Sequence, residues 1–516
     1  MKKFPSAIPL LLILAISLPA FAEDASAQAA TQDGNNKELP VPKETSAVTQ
    51  HRITLDGDSF GYTATAGNLV VANDKGDAIG SFFYVAYTRD GVRDMAHRPL
   101  TFLFNGGPGS SSIWLHMGSF GPVRVETSDA QATPPPPYTL VSNRYSLLDK
   151  SDLVFIDAMG TGFSRIVGKG TGKDFYGTDA DIESFGKFIE RYVTLNKRWN
   201  SPKFLLGESY GTTRAAGLVD WLQNQGMAFN GVILQSSWLN GFVDFPGPAN
   251  ALDLSYELYL PTMAATAWYH GKLANKPADF DAFIQQARDF ALGDYARALD
   301  RGSRLSAAET RAIAEKLASY TGLSTDYILR AKLRVNPFRF EKELLRDQAH
   351  TVGRLDSRFP GTDQDAAGEY PEYDPSGTAI GPAYTAAFNW YLANDLKYKT
   401  DLGYKVQNYR EVGRDWDNSQ RIDGQTYPLM DVEENLRRAM TENPHLKVFS
   451  ANGYFDFATP FFETEYDLDH MGLDASLMKN ISYGYYQSGH MIYLKVPALK
   501  AYKADVARFY DSAVTP

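Results

Sequence analysis

The sequence predicts an α/β fold: a mostly parallel central sheet with helices on both faces and a large, mainly helical cap insertion. Three observations carry it. Short apolar runs alternate with amphipathic stretches, as in chains built from strand–helix–strand units. The pentapeptide Gly207-Glu208-Ser209-Tyr210-Gly211 stands between a strand-like run, Lys203 to Leu206, and a helix-like run, Thr212 to Asn224. Residues 241–425, finally, are too many for one crossover connection between two strands.

In chain order, residues 1–22 read as an export signal: basic Lys2 and Lys3, apolar Ile8 to Leu18, and a small-residue cleavage site at Ala20-Phe21-Ala22. The apolar run is too short to span a bilayer. Residues 23–48, rich in Ala, Ser, Gln, Asn, Pro and charge, read as a disordered leader. The first part of the catalytic core, 49–240, opens with alternating runs from His51 to Tyr87 that suggest antiparallel hairpins. Strands follow at Leu100–Phe104, Asp152–Asp157, Lys203–Leu206 and Gly231–Gln235, with an amphipathic helix over Asp179–Asn196. Within the insertion, helical patterns cover Pro277–Leu299, Ser306–Tyr320 and Thr325–Arg346, and the aromatic-rich Phe388 to Tyr398 stretch reads as cap core. The second part of the core, 426–516, supplies a helix over Asp431–Met440 and strands at Lys447–Ala451 and Ile481–Tyr486.

Three distant segments spell out one site. A serine between glycines on a strand-to-helix turn is a nucleophile elbow, its glycines letting the backbone bend sharply enough to expose the hydroxyl. Asp456, in Asn452-Gly-Tyr-Phe-Asp-Phe-Ala-Thr-Pro460, follows one predicted strand, and His490, in Ser488-Gly-His-Met491, follows another. Ser, Asp, His is the chain order of α/β-hydrolase triads, so Ser209, Asp456 and His490 are the candidate nucleophile, orienter and base. The other histidines lack such a context. A fourth segment, Asn105-Gly-Gly-Pro-Gly-Ser-Ser-Ser112, leaves the Leu100–Phe104 strand directly. Attack on a carbonyl creates an oxyanion that needs backbone N–H donors, and Gly107 and Tyr210 fit that oxyanion hole.

At Asn-Gly-Gly-Pro-Gly, Gly-Glu-Ser-Tyr, the Asp157 to Ser164 stretch and Gly-His-Met, the chain resembles the serine carboxypeptidases, from about the strand before Asn105 to its end. The resemblance implies an α/β-hydrolase fold, removal of single residues from peptide C-termini and an acidic working range. It also implies that Asn105, the Gly106 N–H and Glu208 hold the substrate's terminal carboxylate. A protonated carboxyl at Glu208 would act there as a donor. The chain departs from the family at two positions. Ser110 stands where a cysteine is usual, and Ser119 where a second acid is usual, which weakens the acid–amide network around the carboxylate.

The formal net charge is −10, and loss of residues 1–22 removes two lysines and no acid, leaving 49 basic against 61 acidic side chains. That balance argues against nucleic acid or an anionic membrane as partner. Zero cysteines in an exported chain suit a bacterial periplasm or exterior. Asp363, Asp365 and Asp374 match a calcium loop only faintly, and no zinc spacing or phosphate-binding glycine loop appears, so no metal or cofactor is expected. The leading expectation is a peptide-hydrolysing serine carboxypeptidase. The alternatives are an esterase or acyltransferase on the same triad, and a non-catalytic binding protein, against which the complete triad argues.

Overall fold

The computed structural model describes residues 38–243 and 252–514; the expected export signal, 1–22, lies outside them. Among the described residues a ten-stranded sheet runs through the molecule. It opens with an antiparallel meander, β1 (Ser46–Leu55), β2 (Asp58–Ala72) and β3 (Ala78–Arg89). The remaining long strands are β4 (Leu100–Phe104), β5 (Asp152–Ile156), β6 (Lys203–Ser209), β7 (Gly231–Ser237), β8 (Lys447–Gly453) and β9 (Ile481–Tyr486). Their spatial order is β1-β2-β3-β5-β4-β6-β7-β8-β9, with the short Arg165–Ile166 pairing on β3. From β5 to β9 every pairing is parallel. This is the α/β-hydrolase sheet that the sequence predicts.

The central strands are short and apolar because both of their faces are buried. Along β4, Phe102 and Phe104 turn to one side, against Tyr192 and Phe185 of α1 (Thr178–Leu195). Leu103 turns to the other, into the cluster that holds Leu499, Tyr502 and Phe509 of α7 (Val496–Val514). The period of two thus sorts one strand's residues between two cores. Helix α2 (Tyr210–Asn224) packs on the α1 side with α5 (Glu433–Glu442).

Between β7 and β8 the chain builds helices that include α3 (Leu254–Tyr269) and α4 (Pro375–Asn394). Helix α3 and its neighbours share an apolar cluster with Tyr454, Phe455, Phe457 and Phe461, the last of these opening α6 (Phe461–His470). This cluster therefore rests on the loop that carries Asp456.

Three expectations are corrected. The leader expected to stay disordered to residue 48 is ordered before that: Glu44 accepts from Val70 N at 2.6 Å and pairs with Arg191, and β1 begins at Ser46. A polar edge strand gains its stability from ladder hydrogen bonds, which composition does not register. Thr325–Arg346 is not one helix but two, Thr325–Arg330 and Pro337–Glu343. Lys332 and Leu333 take positive φ of 54° and 67° between them, and Asn336 caps the second helix with Pro337 at its first position. The stretch from Phe388 is not cap core: Phe388, Tyr391 and Leu392 belong to the cluster on the α7 side of the sheet.

At the foot of the sheet, Asp152 is 1 % exposed and holds Arg98 Nε at 3.0 Å and Arg198 Nη1 at 2.6 Å. It thereby ties the starts of β4, β5 and β6 together. Asp152→Ala leaves two buried guanidinium groups without their counter-charge and should cost about 3–5 kcal/mol in denaturant unfolding; a loss under about 1 kcal/mol would contradict this role.

Candidate active site

Strand β6 ends at Ser209, whose backbone stands at φ 62°, ψ −134°, and α2 starts at the next residue. A non-glycine residue holds such a conformation only when its surroundings enforce it, at about 1–3 kcal/mol. The enforcement is steric. A Cβ on Gly207 would lie 2.0 Å from Gly211 O, and one on Gly211 would lie 2.6 Å from Phe104 O. A Cβ on Gly106 would lie 2.4 Å from both Tyr210 N and Gly211 N. The two segments with the expected oxyanion donors, at Gly107 and Tyr210, are thus packed directly against each other. Gly107 itself takes φ 116°, a left-handed value that favours glycine.

His490 Nδ1 lies 2.8 Å from Asp456 Oδ2. Asp456 is fully buried, and its carboxylate also accepts from Ala458 N at 2.8 Å, Thr459 N at 3.0 Å and Thr459 Oγ1 at 2.9 Å. The His490 carbonyl accepts from Gln235 Nε2 and Ser236 Oγ, and its N–H donates to Leu355 O at 2.7 Å. Burial alone would depress the imidazole's proton affinity. The Asp456 charge and hydrogen bond, with the Glu208 charge, outweigh it, so His490 holds its proton above the ordinary histidine range. Ser209 and His490 line one cavity of about 1040 Å³, together with Asn105, Gly106, Gly107 and Glu208.

Glu208 is 2 % exposed and accepts from Asn105 Nδ2 at 2.8 Å and from Gln235 Nε2 at 2.9 Å. Burial pushes its carboxyl up to about 7. Asn105 is held in turn: its side-chain oxygen accepts from Leu115 N at 3.0 Å, and its carbonyl from Arg214 Nη1 at 2.8 Å. Arg214, 1 % exposed, is fixed by Asp181 at 2.7 Å and by Phe185, whose ring lies 4.1 Å away. The glycine loop is braced from its other side by Asp157, which accepts from Ser112 N at 2.9 Å and Tyr404 OH at 3.0 Å. Ser119, in the place of the family's second acid, donates to Leu115 O at 2.6 Å. The Ser110 hydroxyl accepts from Trp114 Nε1 at 3.0 Å.

All of the sequence-derived candidates except Tyr210 line this cavity or bond into it; Tyr210 is buried directly beneath Gly106. Sequence reasoning missed Gln235, which joins Glu208 to the His490 backbone, and the Arg214–Asp181 brace behind Asn105. A signal for Gln235 existed: it is the polar end of the otherwise apolar Gly-Val-Ile-Leu-Gln strand.

The profile of the serine carboxypeptidase family matches residues 59–491. The chain belongs to the serine carboxypeptidase family. Pheromone-processing carboxypeptidase KEX1 of Saccharomyces cerevisiae is 34% identical over 156 residues, 28% of this chain and 20% of KEX1. Serine carboxypeptidase-like 29 of Arabidopsis thaliana is 27% identical over 207 residues, 37% of this chain and 38% of that protein. The matched stretches thus span well under half of either relative. The crystal structure of KEX1, a prohormone-processing carboxypeptidase from the same yeast, superposes with a TM-score of 0.51 at 16% identity, covering 87% of this chain and 91% of that one. That likeness carries the α/β-hydrolase fold. Among the described residues of this serine carboxypeptidase family member, no helix is long and apolar enough to cross a membrane.

The steric argument at Gly106 has a direct test. Gly106→Ala should push the glycine loop off the elbow and lower kcat by about 10²–10³-fold, the usual cost of one lost oxyanion donor. Wild-type kcat in that variant would show that the loop is not held by this contact.

Proposed function

We propose that this chain is an exported serine-type carboxypeptidase that removes C-terminal residues from peptides through an acyl-enzyme. The observation that carries the reading is Glu208, a buried carboxyl bonded to Asn105 and lining the same cavity as Ser209. Below about pH 7 that carboxyl keeps its proton and can donate to an anionic substrate end. Ser209 Oγ attacks the last peptide carbonyl as His490 Nε2 takes its proton, with Asp456 holding Nδ1–H in place. The developing oxyanion is received by the Gly107 and Tyr210 N–H groups. His490 then protonates the departing amino acid, and water resolves the acyl-enzyme by the same steps in reverse order. Asn105, the Gly106 N–H and Glu208 hold the terminal carboxylate, and residues 241–425 serve as the cap. Export to a bacterial periplasm or exterior is supported by the basic, apolar and small-residue pattern of residues 2–22 and the lack of cysteine.

The acidic working range follows from how Glu208 and His490 share protons. With two protons between them, His490 is charged and cannot act as base. With one, a bound carboxylate favours the form in which Glu208 keeps the proton and His490 is neutral. With none, ionised Glu208 repels the substrate's carboxylate. One feature favours an esterase or acyltransferase as second reading: Ser119 leaves Glu208 without the family's second acid.

Two measurements test the reading. Ser209→Ala should abolish fluorophosphonate labelling and leave roughly 10³–10⁴-fold catalysis over water; a mutant that still labels has another nucleophile. For a peptide acid, kcat/KM should fall as pH rises past about 7, while the matching amide shows no such fall and Glu208→Gln flattens it. Equal rates on acid and amide at every pH would exchange the carboxypeptidase reading for the esterase one.

A further inference from the structure

Three charged side chains of the cavity lining, Arg354, Asp374 and Lys405, are not used by the proposed reaction. Arg354 lines the cavity with Ser209 and His490, contributed by the insertion. Its backbone is bonded into the catalytic loops: Arg354 O accepts from Phe457 N at 3.0 Å, and Leu355 O accepts from His490 N at 2.7 Å. From the other side, Asp374 at the N-terminus of α4 accepts from Arg354 N at 3.1 Å and Leu355 N at 3.2 Å. The guanidinium is centred 5.9 Å from the Phe338 ring, and its charge reaches His490, where it opposes protonation. The other cation of the lining, Lys405, is paired with Glu411 at 2.9 Å.

A guanidinium offers five donors in a planar fork, so it can serve a neighbour and still receive a carboxylate. Four backbone hydrogen bonds, two each at Arg354 and Leu355, fix the main chain that carries the guanidinium next to the triad. We infer that Arg354 is a specificity-determining residue whose guanidinium receives the side-chain carboxylate of a substrate Glu or Asp flanking the bond that is cut. The inference rests on the acyl-transfer reading of Ser209 and names the substrate class: peptides with an acidic residue at or next to the C-terminus. It is separate from the terminal carboxylate, which falls to Asn105 and Glu208.

The experiment uses N-blocked dipeptides with Glu or Gln on either side of the scissile bond. Matching depsipeptides, in which an ester replaces the scissile amide, are run in parallel at about pH 6, where a substrate Glu is ionised. At one of the two positions the wild type should favour Glu over Gln in kcat/KM by roughly 10- to 100-fold, the range of a charge-assisted hydrogen bond. Arg354→Gln should bring that ratio to about 1, and Arg354→Lys, which keeps the charge but not the fork, should leave it in between. Circular dichroism identifies a variant that has not folded, in which case Arg354→Lys alone decides. An unchanged ratio overturns the inference. So does a loss that follows the terminal carboxylate, seen as equal damage to all acids and none to amides. If only the depsipeptides react, the peptidase reading fails, and their Glu-to-Gln ratio still decides the role of Arg354.

Discussion

The backbone at Ser209 is the constraint on which the rest of the site depends. At φ 62° it lies in a region that an L-residue occupies only under compulsion, and the close packing that holds it there is possible because Gly106 after β4, Gly207 in β6 and Gly211 in α2 carry no Cβ. Because β4 and β6 are parallel neighbours, with Phe104 opposite Gly207, their C-terminal ends emerge side by side. The loop leaving β4 therefore meets the elbow leaving β6 at backbone contact. Sheet topology thus fixes where the candidate nucleophile and oxyanion loop stand, and only glycine at 106, 207 and 211 lets them stand that close.

Around this frame the buried charges are arranged so that each has a partner or keeps its proton. Arg214 is neutralised by Asp181 and spends a third donor on the Asn105 carbonyl, so the ion pair also fixes the residue that bonds Glu208. Asp456 collects four donors, His490 among them. Glu208 meets neutral donors, the amides of Asn105 and Gln235 and the Tyr493 hydroxyl, and no cation in bonding contact, so burial wins and its proton is retained to about pH 7.

What the sequence makes legible follows from how local the cause is. Leu100–Phe104 is predicted to the residue because a strand buried on both faces is predominantly apolar. The elbow is legible because its glycines answer a steric demand within five residues. Gln235 stands out only as a polar strand end, and its role is not legible, since that exists only through Glu208 and His490, which lie 27 and 255 residues away in the chain. The same holds for Arg214, whose partner Asp181 is 33 residues distant and whose position inside α2 looks like an ordinary solvated helix face. Helix boundaries in the insertion fail for a different reason. A periodic pattern over Thr325–Arg346 does not register that two residues at positive φ and an Asn-Pro start divide it.

The insertion is bound to the chemistry more closely than a lid needs to be. Its apolar cluster extends onto Phe455, Phe457 and Phe461, the neighbours of Asp456, so the Asp456 loop is packed by residues foreign to the sheet. Ser357 N donates to Phe455 O at 2.9 Å, and the buried Arg358 holds Asp356 at 2.6 Å on the same short segment. That segment, 354–358, touches the Asp456 loop through two residues, Arg354 and Ser357, and the His490 N–H through Leu355. A rigid strap of this kind transmits any displacement of the insertion to the Asp456–His490 pair, because packed interiors yield little before they rearrange. The cavity wall at Arg354 and the backbone bonded to the Asp456–His490 pair are therefore one element.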